Sequence, residues 1–313
     1  MLDFIYYPVS AILWLWHTVF GALLGPDSGF AWALSVVFLV FTIRLLLLKP
    51  AMEQIRTARR MQELRPQLDA LRKEHAGDRA AQAAAMQKLQ QEHGFNPLMG
   101  CLPALVQLPV FLGLYHVLQS FNRTGTGFGK LGMTPEANAT TPNYFFDIAD
   151  VQSFLAARLF GAPISAAIAS PDTVLESFAA HGSVPTVAGI ALVAIPLMVV
   201  ASLATHFNAR ASIARQDPAA AANPQLAIMN KLMLWVFPLG ALLGGPLLMI
   251  AILLYWVANN LWTYGQQHLV FARMDRETRS QPVAADSPGP DPAQPGKDPA
   301  EPAKSTRRRG RAR

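Results

Sequence analysis

The stretch AWALSVVFLVFTIRLLLL, residues 31–48, is apolar throughout except for one ionisable side chain, Arg44. A helix over Phe30 to Leu48 is long enough to cross the roughly 30 Å hydrocarbon core of a bilayer. An arginine at bilayer depth costs about 2.5–3.5 kcal/mol on insertion scales, so such residues face a protein interior or a wet cavity and mark a pathway. The competing reading is snorkelling, because Lys49 and Pro50 follow about one turn later and the guanidinium could reach the headgroups.

The rest of the composition agrees with a membrane protein. Of 313 residues, 52% are hydrophobic and 15% charged, against about a quarter charged in soluble domains. The formal net charge of +6 suggests nucleic acid only until its position is considered, since it is concentrated in a few segments. The single cysteine, Cys101, lies in an apolar run, which excludes an intramolecular disulfide framework.

Taken in order, residues 1–29 lack the basic n-region and cleavage motif of a secretory signal and are read as retained. Asp3, Pro8 and His17 with Tyr6, Tyr7, Trp14 and Trp16 fit a helix lying at the interface better than one crossing it. Pro26-Asp27-Ser28-Gly29 turns into the first span, 30–49. Residues 50–95 carry eight Lys/Arg and six Asp/Glu among leucines and methionines at helical spacing, which predicts a water-facing helical hairpin turning at Gly77-Asp78, with Pro66 kinking or splitting its first arm.

The second span, 96–120, opens with Asn96 as N-cap and Pro97 at the first helical position, and holds Pro103 and Pro109 inside. Gln107 lies between those prolines, as interhelical glue or as part of a wet wall. Residues 121–183 read as a long extracytoplasmic loop with two short surface helices, at Ile148–Leu159 and Asp172–His181. The third span is 184–203, and 204–225 is a cytoplasmic loop. From Leu232 to His268 there is no Asp, Glu, Lys or Arg, but one helix of that length would measure about 55 Å. It must fold back at Gly244-Gly245-Pro246, giving a fourth span at 226–243 and a fifth at 247–264. The tail, 265–313, is rich in Pro, Ala, Asp and Gly toward its end, is expected to be disordered, and closes with TRRRGRAR.

Lys/Arg asymmetry places the hairpin, the 204–225 loop and the tail in the cytoplasm, with the N-terminus and the 121–183 loop outside. The fold class is an all-α polytopic membrane protein with five spans and a cytoplasmic helical hairpin.

On the fifth span, Trp256, Asn259, Asn260 and Thr263 fall at i, i+3, i+4 and i+7, one helix face. They make either a hydrogen-bonded helix contact or the wall of a wet groove facing Arg44. A cavity shared by Arg44, Gln107 and this stripe explains three oddities at once.

Three stretches, FTIRLLLLKP (41–50), NPLMGCLPALVQLPVFLGLY (96–115) and LLYWVANNLWTYGQQHLV (253–270), resemble the YidC-type membrane protein insertases in motif, order and separation. The resemblance covers about Phe30 to Phe271, and the Pro-rich basic tail resembles the actinobacterial branch. It implies a five-span insertase core and a groove open to cytosol and lipid but closed outside. Arg44 would supply the groove's positive charge, and Gln107 and Trp256 match the family's glutamine and aromatic positions. It also implies a role in the bacterial cell membrane inserting and helping to fold nascent membrane proteins, alone or with the Sec translocon and the ribosome. Anionic lipid or ribosomal RNA would meet Arg307, Arg308, Arg309, Arg311 and Arg313. No phosphate loop, metal spacing or catalytic triad is present in the sequence, so neither an enzyme nor a cofactor is expected. A small-solute channel or transporter is the alternative, since intramembrane charge and broken helices also occur there.

Overall fold

A computed structural model describes residues 2–53, 64–92, 98–124, 131–214, 216 and 224–280; of 98–107 and 270–280, among others, the backbone alone is described. The Asn96-Pro97 cap, Arg215 and the arginine-rich tail lie outside these residues.

The chain begins with two long apolar helices, α1 (Asp3–Leu24) and α2 (Gly29–Leu46), joined by a turn in which Gly25 has φ +93°. A side chain at Gly25 would be strained in that conformation. α1 also packs on α5 (Leu98–Gln119), and Gly113 of α5 lets Ile5 approach so closely that a Cβ there would lie 2.6 Å from its Cγ2. The indole of Trp16 donates to Thr42 Oγ1 at 2.9 Å, tying α1 to α2 just before Arg44.

Between α2 and α5, α3 (Arg65–Glu74) and α4 (Arg79–Glu92) form a helical hairpin. Pro66 lies in the first turn of α3, where its missing N–H costs no helical bond, so it starts the helix rather than kinking it. Asp78 accepts from the backbone N–H groups of Ala80 and Ala81, both at 3.0 Å, and so caps α4.

The segment after α5 folds back onto the bundle. It contains α6 (Pro135–Ala139), α7 (Ile148–Ala156), a two-residue antiparallel pair β1 (Arg158–Leu159) and β2 (Ala162–Pro163), and α8 (Asp172–Glu176), which tightens into a 3₁₀ turn at Ser177–His181. The helices at 148 and 172 are more than surface decoration, because Val151, Phe154, Leu155, Val174, Leu175 and Phe178 are all buried in the core. Their apolar residues recur at 3–4-residue intervals, which presents one face inward.

At the centre of this end is Trp32, fully buried. The His17 ring stacks on it at 3.6 Å, Phe121, Phe146 and Phe154 surround it at 4.9 to 5.6 Å, and its indole donates to Ser153 Oγ at 3.0 Å. Gly29 is required beside it: a Cβ there would lie 2.0 Å from the Arg158 carbonyl oxygen.

The last third holds α9 (Val187–Ile213), then α10 (Pro224–Lys231), a π-helical turn at Leu232–Val236, α11 (Phe237–Gly244), a 3₁₀ turn at Gly245–Leu247, and α12 (Ile250–Ser280). The chain thus breaks at Gly245-Pro246. The first N–H groups of α12, orphans in any helix, are taken by the folded-back segment: Ile250 donates to Ala166 O at 3.0 Å and Ala251 to Ile164 O at 2.9 Å.

By length and composition, four helical stretches among the described residues can cross a membrane: Asp3–Leu24, Gly29–Leu46, Val187–Ile213 and Leu226–Leu247. The protein is an all-α polytopic membrane protein. α1 is among the four by length and composition, and its Ser10 and His17 are buried against neighbours, an arrangement compatible with the interfacial placement its sequence suggests.

Candidate functional site

α2 presents Arg44 in its last turn, where the helix dipole favours a cation. The side chain turns toward α12, and its Nε and Nη2 both donate to Asn259 Oδ1, at 3.0 and 2.6 Å. One edge of the guanidinium is therefore occupied by a neutral acceptor, while Nη1 makes no hydrogen bond and no carboxylate pairs with Arg44 among the described residues. The amide fixes the orientation of the charge without cancelling it. The charge sits over a narrow crevice lined by Leu39, Val40, Ile43, Val110, Leu114 and Tyr255, with room for about one water. In such apolar surroundings an electrostatic attraction is screened less than in bulk water.

The stripe on α12 divides. Consecutive helical residues are about 100° apart, so Asn259 and Asn260 can serve different neighbours. Asn260, 7% exposed, faces α9: its Oδ1 accepts from Asn208 Nδ2 at 3.1 Å and from Thr205 Oγ1 at 3.3 Å, while its Nδ2 donates to Trp256 O at 3.0 Å. Asn208 Nδ2 also donates to Asn260 O at 3.1 Å. This buried amide pair fastens α9 to α12. Thr263 bonds back to Asn259 O at 2.8 Å, and the half-buried Trp256 contributes its carbonyl to Asn260. The structure thus brings Arg44 and Asn259 together and directs Asn260 elsewhere; Gln107 is on α5, and its side chain lies outside the described residues.

Three contributors were not singled out from sequence. Asn208 and Thr205 lie in the extension of α9 beyond Leu203, and an asparagine in a helical continuation was their one signal. Tyr255, 6% exposed, lines the Arg44 crevice and is hidden in an apolar run.

Residues 23–277 match the family model described as 60Kd inner membrane protein. The chain belongs to this family. Among its relatives, the membrane protein insertase YidC of Mycolicibacterium paratuberculosis is 56% identical over 295 residues, covering 92% of this chain and 82% of the relative. The insertase of the same name from Mycobacterium tuberculosis is 55% identical over 295 residues, covering 92% and 79%. That of Streptomyces avermitilis is 32% identical over 271 residues, covering 86% and 58%. In the terms of this 60Kd inner membrane protein family, the match includes α2, α5, α9 and all but the last turn of α12, and with them every residue of the Arg44 site.

Proposed function

We propose that this chain is a bacterial membrane protein insertase in which Arg44 draws the polar tail of a client helix into a groove between α2, α5 and α12. The observation that carries the reading is the Arg44–Asn259 arrangement: a cation held in place by a neutral amide, its Nη1 making no hydrogen bond among the described residues and so open to an incoming carboxylate. A second observation supports closure at the opposite end. Trp32 and its aromatic neighbours plug the bundle about 18 Å from Arg44 along the same helix.

The energetics need no nucleotide or covalent step. About 20 apolar residues at roughly −0.3 to −0.6 kcal/mol each outweigh the cost of one or two charges, so the finished insertion is downhill. The obstacle is the tail that must cross. A gross Coulomb attraction of about 4 kcal/mol at 4 Å and an effective dielectric of 20, less desolvation, is enough to retain an acidic tail at Arg44 while its helix partitions into lipid. Asn259 positions the charge, Gln107, Trp256 and Thr263 complete the polar wall, and Asn260 holds α12 against α9.

In this arrangement α1 rests at the outer interface with the N-terminus outside. The 121–183 segment is also outside, and the α3–α4 hairpin and the tail are cytoplasmic, in keeping with the Lys/Arg distribution. Nascent chains are then met from the cytosol, with the Sec translocon and ribosome as partners and Arg307, Arg308, Arg309, Arg311 and Arg313 available to ribosomal RNA or anionic lipid.

Reconstitution tests the function. The purified protein in liposomes should make a short-tailed client acquire a protease-protected fragment that protein-free liposomes do not yield. Solute flux with no client insertion would instead make it a channel or transporter.

A further inference from the structure

At the end of the bundle remote from Arg44, a surface cavity of about 630 Å³ is lined by Tyr7 of α1, His116 and Ser120 at the end of α5, and Arg123, Leu131, Pro142 and Tyr144 of the folded-back segment. The function proposed above does not use it. We propose that this cavity binds the headgroup of one anionic phospholipid, with the phosphate on Arg123.

Arg123 is half-buried and built into position. Its backbone N–H donates to Asn138 Oδ1 at 2.9 Å, and its Nη2 donates to Pro142 O at 3.1 Å and Asn143 Oδ1 at 3.3 Å. All three acceptors are neutral, and Nε and Nη1 make no hydrogen bond among the described residues. Asp3 lies within electrostatic reach of His116 and Tyr144, and Tyr144 within reach of Arg123. A fixed, partly desolvated guanidinium with two donor groups unused and no carboxylate bonded to it among the described residues suits a phosphate, which accepts parallel N–H bonds.

The surroundings select a lipid rather than a free anion. Arg123 lies four residues beyond the end of the apolar helix α5, among aromatic side chains of the kind that gather at a membrane interface. The His116 ring, stacked on Tyr6 at 4.2 Å, meets the Tyr144 hydroxyl at 2.6 Å and makes one wall. Tyr7 and Leu131, both exposed, line the cavity and give it apolar surface along which acyl chains can lie.

The test uses delipidated full-length protein in neutral detergent, with dioctanoyl phosphatidylglycerol as probe, dioctanoylglycerol as the same molecule without the phosphate, and inorganic phosphate as competitor. Native mass spectrometry reads the bound molecules. The wild type should hold one phosphatidylglycerol at least about tenfold more tightly than the diacylglycerol. Arg123→Gln should lose that preference and Arg123→Lys should keep part of it. Because Arg123 also braces its loop, Leu131→Glu is the cleaner variant: it sets a carboxylate at an exposed position lining the same cavity as Arg123, and should abolish the preference with folding intact. Equal binding of the two lipids by the wild type, or undiminished phosphatidylglycerol binding by Leu131→Glu, would overturn the proposal. So would displacement of the lipid by inorganic phosphate at equal concentration, which would make the site one for a free anion.

Discussion

Replacing Asn259 with Asp tests whether the charge of Arg44 must stay uncompensated. The amide oxygen already receives two hydrogen bonds from the guanidinium, at 3.0 and 2.6 Å, so a carboxylate placed there would form an internal ion pair with little rearrangement. Its gross attraction, about 4 kcal/mol at 4 Å and an effective dielectric of 20, equals what a client carboxylate could offer, so the client would have to compete with a resident anion. If the tail loses only a third of that attraction, about 1.4 kcal/mol, insertion slows about tenfold. Asn259→Asp should therefore slow a client with an acidic translocated tail about tenfold and leave the same client with neutralised acids within about twofold. Its thermal unfolding temperature in detergent should not fall. Asn259→Leu separates charge from orientation: it keeps the cation but removes both hydrogen bonds, so it should cost stability of about 1.5–3 kcal/mol and weaken acidic-tail insertion less than Asp does. Matched clients in liposomes provide the assay. Wild-type rates for the acidic client with Asn259→Asp would refute the reasoning.

Two further outcomes concern the plugged end. Trp32→Ala should destabilise the protein by about 3–5 kcal/mol, visible as a lowered unfolding temperature and faster proteolysis within 131–183, whereas Ser153→Ala removes one hydrogen bond and should cost about 1 kcal/mol. His181 is held below its ordinary pKa of 6.5 by burial and then by Arg158, so the unfolded chain binds the proton more readily. The stability it contributes is complete above about pH 6.5 and is lost as the pH falls through and below that value, and His181→Gln should flatten this part of the stability profile.

The apolar runs made the long helices legible, because a stretch such as Ala31–Leu48 has no alternative burial that leaves Arg44 as its one ionisable group. The break at Gly245-Pro246 was legible for the same reason, since an uninterrupted helix would have been too long for a bilayer. Arg44 and Asn259 stood out as polar groups in apolar surroundings. Other features depend on tertiary partners that no local pattern announces. The continuation of α9 to Ile213 is held by Asn208 and Thr205 bonding across to Asn260, and the two neighbouring asparagines serve different neighbours because one helical step turns about 100°. The π turn at Leu232–Val236 carries no sequence mark, and His206 Nδ1 lies 2.9 Å from Leu234 O within it. The helices α7 and α8 are short enough to pass for surface helices; Phe154 of α7 packs on Trp32 and Phe121, partners distant in sequence, and Val174 and Leu175 of α8 are buried as well.

The central claim is that Arg44 acts as a positive charge on the client's tail. The most direct measurement is the insertion rate of one client, with and without Asp and Glu in its translocated tail, into liposomes bearing wild type, Arg44→Lys, Arg44→Ala or Arg44→Glu, at low and high salt and with folding of each variant verified. The account predicts that Lys keeps most of the activity, that Ala slows the acidic tail far more than the neutral one, that Glu slows it further, and that salt narrows the differences. Equal losses for acidic and neutral tails across the series would contradict it and leave Arg44 a structural residue.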